Sequence, residues 1–266
     1  MTVLNAIVEL TRASWRVLRK HPVLAAFPVL SLLAVVGVVL LIAPVVIGPG
    51  SADDEVPWFA LVVIGLFAEL VQTFFLVALT AEALRAFRGE TPSILAGLGT
   101  ASARVASIVV YAAVTSTVGL GLALVGRSSH RAVRVARALV GTAWSLATYL
   151  AVPVIAKERR GGLASLRRSG ELFKQTWGET TLSEVGMRVL TVHLSLLLLI
   201  LAFVLVRMIG DSPLALLVVI ALVLSFVALV GSLEAIYRAA LYVFAAEGVV
   251  PDPFAGPELD EIWRTR

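Results

Sequence analysis

The strongest candidate for chemistry in this chain is a glutamate in the middle of a long apolar segment. Glu69 lies near the centre of residues 57–80, and Gln72 and Thr73 follow at spacings that place all three on one helical face. A carboxyl group at mid-bilayer costs about 2.5–3.5 kcal/mol on insertion scales, so it must face the interior of a bundle. Two interpretations remain open: an ion or proton site, or a protonated glutamate hydrogen-bonded to polar groups of neighbouring helices.

The second candidate is His193, in the inner part of the apolar segment 188–208. A single histidine in such a segment is usually packed or hydrogen-bonded. The other two histidines, His21 and His130, are predicted to lie at opposite membrane faces, so the sequence contains no cluster with metal-ligand spacing. We therefore predict no metal and no cofactor.

The sequence lacks the motifs of common enzyme classes. It has no G-x-S-x-G elbow, no G-x-x-x-x-G-K-[ST] loop and no H-E-x-x-H motif. It also has no cysteine, which excludes disulfides, thiolate nucleophiles and cysteine-ligated metals. One glutamate, one histidine and scattered hydroxyls are too few convergent groups for intramembrane catalysis. We predict no catalytic residues and no enzyme.

Membrane-spanning helices must position these candidates. Of the 266 residues, 59% are apolar and 15% are charged, whereas soluble domains carry about 25% charged residues. A span needs about 20 mostly apolar residues, and the sequence predicts six spans, at 23–48, 57–80, 105–126, 138–156, 188–208 and 213–236. The predicted fold class is all-α: a polytopic membrane helix bundle of six transmembrane helices paired as three hairpins. It occupies residues 1–248, and a cytoplasmic tail of residues 249–266 follows.

Basic residues predict the orientation of the bundle. With the amino terminus inside, 17 of the 22 lysines and arginines fall in inner segments, as expected for a multi-pass protein of the cell membrane with both termini in the cytoplasm. The positive charge then indicates anionic lipids at the cytoplasmic face and not nucleic acid. Segment 127–137 is the exception, because its four arginines fall outside. It is a solvated helix end, a basic mouth that attracts anions, or a sign that the third and fourth spans are misplaced.

The inner connections are predicted to contain amphipathic helices lying in the plane of the headgroups, at about 3–20, 91–104 and 163–178. Residues 9–15 (ELTRASW) and 171–177 (ELFKQTW) share the pattern E-L-x-[RK]-x-[ST]-W. We interpret the chain as three diverged helix-hairpin units, which occur in transporters and also in bundles that transport nothing. The last helix, if it covers 213–247, exceeds the bilayer thickness and should project the pair Glu234 and Arg238 into the cytoplasm.

Two further groups of residues are predicted to lie at the cytoplasmic side. The connection after the fourth span supplies a basic surface formed by Arg159, Arg160, Arg167, Arg168, Lys174 and Trp177. The tail carries three apolar residues on one helical face: Leu259, Ile262 and Trp263. We expect these three to dock on the underside of the protein, and contact with a partner is the alternative.

The stretch 143–179, AWSLATYLAVPVIAKERRGGLASLRRSGELFKQTWGE, carries the motif W-x4-Y-x3-P-x2-A-x-E, formed by Trp144, Tyr149, Pro153, Ala156 and Glu158. Together with YRAALYVFAAEG at the end of the last span, it resembles an uncharacterised family of bacterial and archaeal six-span membrane proteins. The resemblance implies the fold and topology and no biochemical activity. Pro153 is predicted to kink the fourth helix, because proline removes a backbone hydrogen bond.

Two functions from different classes remain open. The first is the passage or gating of a small solute or ion, with Glu69 lining the route. The second is a non-catalytic membrane scaffold or accessory subunit that binds partners through its cytoplasmic helices and tail. Both are compatible with a homo-oligomer or a membrane-protein complex. A water-accessible cavity that reaches Glu69 favours the first function, and a dry bundle with a large exposed cytoplasmic face favours the second.

Overall fold

A computed structural model describes residues 3–47, 57–125, 131–177, 213–256 and Trp263. In these residues all regular structure is helical, which confirms the predicted class. The α-helices are α1 (Val3–Lys20), α2 (Ala26–Ile47), α3 (Trp58–Phe87), α4 (Ile94–Ser102), α5 (Val105–Val125), α6 (Arg131–Tyr149), α7 (Ala151–Glu158), α8 (Gly162–Trp177) and α9 (Pro213–Glu247). Short 3₁₀ turns, Pro22–Ala25 and Asp252–Phe254, precede α2 and follow α9.

Five helical stretches in the described residues are long and apolar enough to cross a membrane. They are Pro22–Val46, Trp58–Phe87, Val105–Val125, Ala136–Glu158 and Val223–Glu247. They overlap the first, second, third, fourth and sixth predicted spans. The fifth predicted span, 188–208, lies outside the described residues, and so does the third hairpin that it would complete.

The outer surface of these helices is apolar. At the end of α2, Leu40, Leu41 and Val45 expose 69%, 75% and 81% of their surface. Exposing apolar area to water is unfavourable by about 25 cal/mol per Å², whereas lipid tails solvate it without that cost. The helices therefore have the character of a multi-pass membrane protein.

Helix α3 is the centre of the bundle. It contacts α2, α4, α5, α7 and α9. Every residue from Val77 to Leu84 is buried, and three alanines in this stretch, Ala78, Ala81 and Ala83, allow the neighbouring helices to approach closely. Side chains on α3 therefore point into the space that the other helices enclose.

The kink predicted from Pro153 corresponds to a break at Leu150. Because Pro153 has no N–H group, the carbonyl of Tyr149 loses its usual helical donor. Helix α6 ends at Tyr149 and α7 begins at Ala151, while the Leu150 N–H donates to Ser169 Oγ at 3.0 Å. Ser169 belongs to α8 and is fully buried, so the break also anchors α8.

Helices α1 and α8 pack against one end of the bundle. The Arg16 guanidinium donates to the Pro253 carbonyl at 2.7 Å, which ties α1 to the turn after α9. Ser107 Oγ donates to the Arg160 carbonyl at 2.9 Å, which ties the start of α5 to the connection before α8. These contacts bring together the elements that the sequence assigns to the cytoplasmic side.

The repeated heptapeptide shows the same burial at three positions in both copies, and at its third and fifth positions the copies differ. Its leucine and hydroxyl positions are buried in α1 and in α8, and its basic position is exposed in both. The corresponding pairs are Leu10 and Leu172, Ser14 and Thr176, and Arg12 and Lys174. The repeat thus encodes one mode of packing, in which the leucine faces the bundle.

The close approach of α8 to α5 depends on Gly162. A Cβ atom there would lie 2.5 Å from the Ser107 carbonyl oxygen and 2.7 Å from the Tyr111 nitrogen, both backbone atoms. Gly162→Ala must therefore displace one helix, and we expect it to lower the free energy of unfolding by about 1–3 kcal/mol, measured as a lower melting temperature in detergent. Gly161 has nothing within 4 Å, so Gly161→Ala is the matched control. Equal melting temperatures for the two variants would contradict this packing.

Candidate functional site

The three polar residues predicted to share one face of the second span line a single cavity. Glu69 is half-buried, Gln72 is exposed and Thr73 is buried, and all three lie on the wall of a space of about 540 Å³. Helices α2, α3 and α9 build this wall, and α5 contributes Tyr111. The volume falls in the range of about 300–1,000 Å³ that is typical of ligand-binding sites.

The hydrogen-bond contacts of the Glu69 carboxylate among the described residues are with two threonine hydroxyls. Thr115 Oγ1 lies 3.4 Å from Glu69 Oε1, but it also lies 3.0 Å and 3.1 Å from the carbonyls of Tyr111 and Ala112 in its own helix. A hydroxyl has one proton to donate, and the shorter contacts compete for it. Thr73 is the second hydroxyl partner.

No described lysine, arginine or histidine forms an ion pair with Glu69. The other carboxyl group on the cavity wall, Glu234, is different. Arg238, one turn later on α9, donates to Glu234, and its guanidinium carbon lies 4.9 Å above the centre of the Tyr149 ring. Such a cation–π contact adds to the ion pair.

The structure shows how this pair is packed. The sequence predicted that Glu234 and Arg238 project into the cytoplasm with the end of the last helix, and both side chains lie on the cavity wall and are 24% and 16% exposed. The pair neutralises itself inside the bundle. Glu69 is therefore the cavity carboxyl that lacks a counter-charge among the described residues.

The motif residues of the fourth span lie in the core. Trp144 is partly buried and packs against the core, and Tyr149 and Pro153 are buried. Tyr149 carries the Arg238 guanidinium on its ring. The motif therefore contributes to the surroundings of the cavity as well as to the helix break.

Part of the predicted basic surface is engaged in an ion-pair cluster around Glu158. Arg160 Nε lies 2.6 Å from Glu158 Oε2, and Arg168 Nε lies 3.5 Å from Oε1. The Tyr242 hydroxyl donates to the same Oε1 atom at 3.1 Å. Since Tyr242 belongs to α9, the cluster joins α7, α8 and α9.

The other predicted surface residues are exposed or undescribed. Arg159, which has a left-handed φ of 54°, is exposed, and so are Arg167 and Lys174. The side chain of Trp177 and the whole of His193 lie outside the described residues. No group of three or more metal-ligating side chains occurs in the described part of the chain.

The tail residue Trp263 packs against the protein itself. It is 7% exposed, its Nε1 donates to the Phe254 carbonyl at 3.1 Å, and its ring centre lies 5.1 Å from that of Phe244. Leu259 and Ile262, predicted to share its face, lie outside the described residues.

A family model matches most of the chain that builds this site. The family of unknown function DUF6159 matches residues 56–251. The chain belongs to this family. No curated protein and no solved structure matches the chain. The suspected membership of an uncharacterised family is thereby confirmed, and the DUF6159 region contains Glu69, Thr115, Glu234 and Arg238.

Within the DUF6159 region, the two segments that carried the resemblance contact each other. Glu158 accepts from Tyr242, Tyr149 lies under Arg238, and Lys157 Nζ lies 3.4 Å from Glu247 Oε1. One segment includes the helix break and the other is the end of α9. Their shared role in the structure is to hold the end of α7 against α9.

Sequence reasoning missed Glu82. Its side chain is fully buried on α3, where Oε2 accepts from the Ser93 N–H at 2.7 Å and Arg85 lies 3.4 Å from both oxygens. Arg85 also bonds Glu90 at 2.8 Å, and this hydrogen bond lowers the pKa of the Glu90 carboxyl. One signal for it was present in the sequence. Glu82 and Arg85 are three residues apart, directly after the end of the predicted second span.

The coupling between Glu234 and Arg238 can be measured by a double-mutant cycle. Glu234→Gln and Arg238→Gln each leave one charge unpaired in the bundle, so we expect each to lower the melting temperature. The double variant removes both charges, and its loss should be smaller than the sum of the single losses, with a coupling of about 0.5–3 kcal/mol. Additive losses would show that the two side chains do not act as a pair.

Proposed function

We propose that this protein lets a small solute or ion pass through its helix bundle without converting it chemically, with the cavity around Glu69 on the route. One observation carries the proposal: a carboxyl group without a cationic partner among the described residues faces a space of about 540 Å³. A bundle that only binds partners gains nothing from such a space, because well-packed apolar side chains would stabilise it more.

The depth of Glu69 supports a position on a route across the membrane. It lies 11 residues after the start of α3 at Trp58 and 18 before its end at Phe87, or about 16 Å along the helix from its nearer end. A half-buried carboxyl group at least that far from either end of a span is energetically unfavourable unless water or a ligand reaches it.

The proposed membrane arrangement has six spans in the cell membrane and both termini in the cytoplasm. It is supported by the 17 to 5 asymmetry of basic residues. We propose further that α1, α4 and α8 lie at the cytoplasmic headgroups and contact anionic lipids. In α1, Trp15 is 47% exposed and the next residue, Arg16, is exposed. In α8, Leu163 is 53% exposed and Arg167, four residues later, is exposed. Exposed apolar side chains beside exposed arginines suit the membrane interface.

The absence of cysteine provides a direct test of the route, because any introduced cysteine is the single thiol. Gln72→Cys, on the cavity wall, should react with a hydrophilic, membrane-impermeant methanethiosulfonate reagent, since the thiolate forms in water and not in lipid. The reagent is added outside sealed vesicles, either right-side-out or inside-out. If the route is complete, the cysteine is labelled in both kinds of vesicle. Labelled protein is quantified by mass spectrometry.

Phe67→Cys is the matched control. Phe67 lies on the same helix, is 42% exposed and does not line the cavity, so we expect its cysteine to face lipid and to react slowly. Reaction of Gln72→Cys from one side alone would reduce the cavity to a binding site without passage. Reaction from neither side would favour the alternative, a scaffold or accessory subunit that binds partners through its cytoplasmic helices and tail.

A further inference from the structure

We infer that the ligand of this cavity is a small organic cation whose charged group binds the Glu69 carboxylate. The inference rests on the proposed function in one respect, that water and solutes reach the cavity. It adds the chemical class of the solute, which the proposed function leaves open. Three features of the cavity support it: its charge, its polar atoms and its apolar wall.

The charge of the cavity favours a cation. Two carboxyl groups and one guanidinium line it in the described residues, and the guanidinium of Arg238 is occupied by Glu234 and by the Tyr149 ring. The remaining carboxylate, Glu69, has hydroxyl contacts alone. An anion would need Arg238 to leave its carboxylate, whereas a cation supplies the counter-charge that Glu69 lacks.

The polar atoms near Glu69 suit the same ligand. On the wall, the side-chain oxygens of Ser31, Gln72 and Thr73 add hydrogen-bond acceptors to the carboxylate. Such a set accepts hydrogen bonds from an ammonium group or from the water around a cation. Tyr111 and Phe75 add two aromatic rings to the wall, and aromatic faces attract cations.

Size and apolarity favour an organic cation over a bare metal ion. A metal ion bound at Glu69 would need several oxygen ligands close around it, and about 540 Å³ is far more space than that. The wall is mixed, and beside its polar groups it offers apolar side chains that include Leu32, Val35 and Leu76. An organic cation can contact both kinds of surface at once, whereas a bare ion uses the polar groups alone.

Two small probes of similar size and opposite charge test the inference. Phenethylammonium, whose ammonium group can donate hydrogen bonds to the Glu69 carboxylate, should protect Gln72→Cys from the methanethiosulfonate reagent and slow its labelling at least tenfold at saturation, and 3-phenylpropionate should not. Adding Glu69→Gln should abolish this protection, while Glu69→Asp keeps the charge and should retain it. Glu171→Gln is the matched control, because it makes the same change of net charge at an exposed residue of α8.

The outcomes separate this inference from the proposed function. Equal protection by both probes, or undiminished protection in Glu69→Gln, would overturn the inference that the ligand is a cation. Labelling of Gln72→Cys without any protection by phenethylammonium would also overturn it. None of these results would contradict the proposed route through the cavity. If Gln72→Cys is not labelled at all, both the route and its cationic ligand are refuted. Melting temperatures of the Glu69 variants show whether a lost signal reflects unfolding.

Discussion

A charged side chain removed from water needs a counter-charge close by, and this constraint organises the bundle. Where the described residues hold a half-buried or buried carboxyl group, an arginine usually accompanies it: Arg12 at Glu9, Arg85 at Glu82, Arg160 and Arg168 at Glu158, and Arg238 at Glu234. Removing one partner of a fully buried pair typically costs about 3–5 kcal/mol, and the cost is smaller where one partner is exposed, as Arg12 is at Glu9. Glu69 is the exception within this part of the chain, and the exception lies on a cavity wall.

The paired carboxylates stand where the chain must turn or where helices cross. Glu82 accepts from the Ser93 N–H at the start of α4, so it fixes the connection after α3. Glu158 joins the end of α7 to α8 and α9, and the Glu234–Arg238 pair meets α6 at Tyr149. These three groups therefore connect neighbouring elements of the bundle, whereas Glu9 and Arg12 pair within α1. Glu69 orders no connection, which separates it from the structural carboxylates.

The sequence predicted features that depend on local pattern and length. Apolar length located the five described spans, and Pro153 indicated the break near Leu150. The sequence could not predict which groups meet across the bundle. The partner of Glu82 is a backbone N–H 11 residues away, and the position of Glu234 depends on how α9 crosses α2 and α3. Helical periodicity predicts which residues share one face of a helix, but not which residues of another helix that face contacts.

The most direct measurement compares two glutamates of α3 that differ in having a counter-charge. Glu82→Gln and Glu69→Gln make the same chemical change on one helix, and thermal unfolding in detergent reports the stability of each. We expect Glu82→Gln to lower the melting temperature by at least about 4 °C, because it leaves buried donors with a weaker acceptor. Glu69→Gln should melt at or above the wild-type temperature, since it removes an uncompensated carboxylate. An equal loss of stability in the two variants would contradict the account.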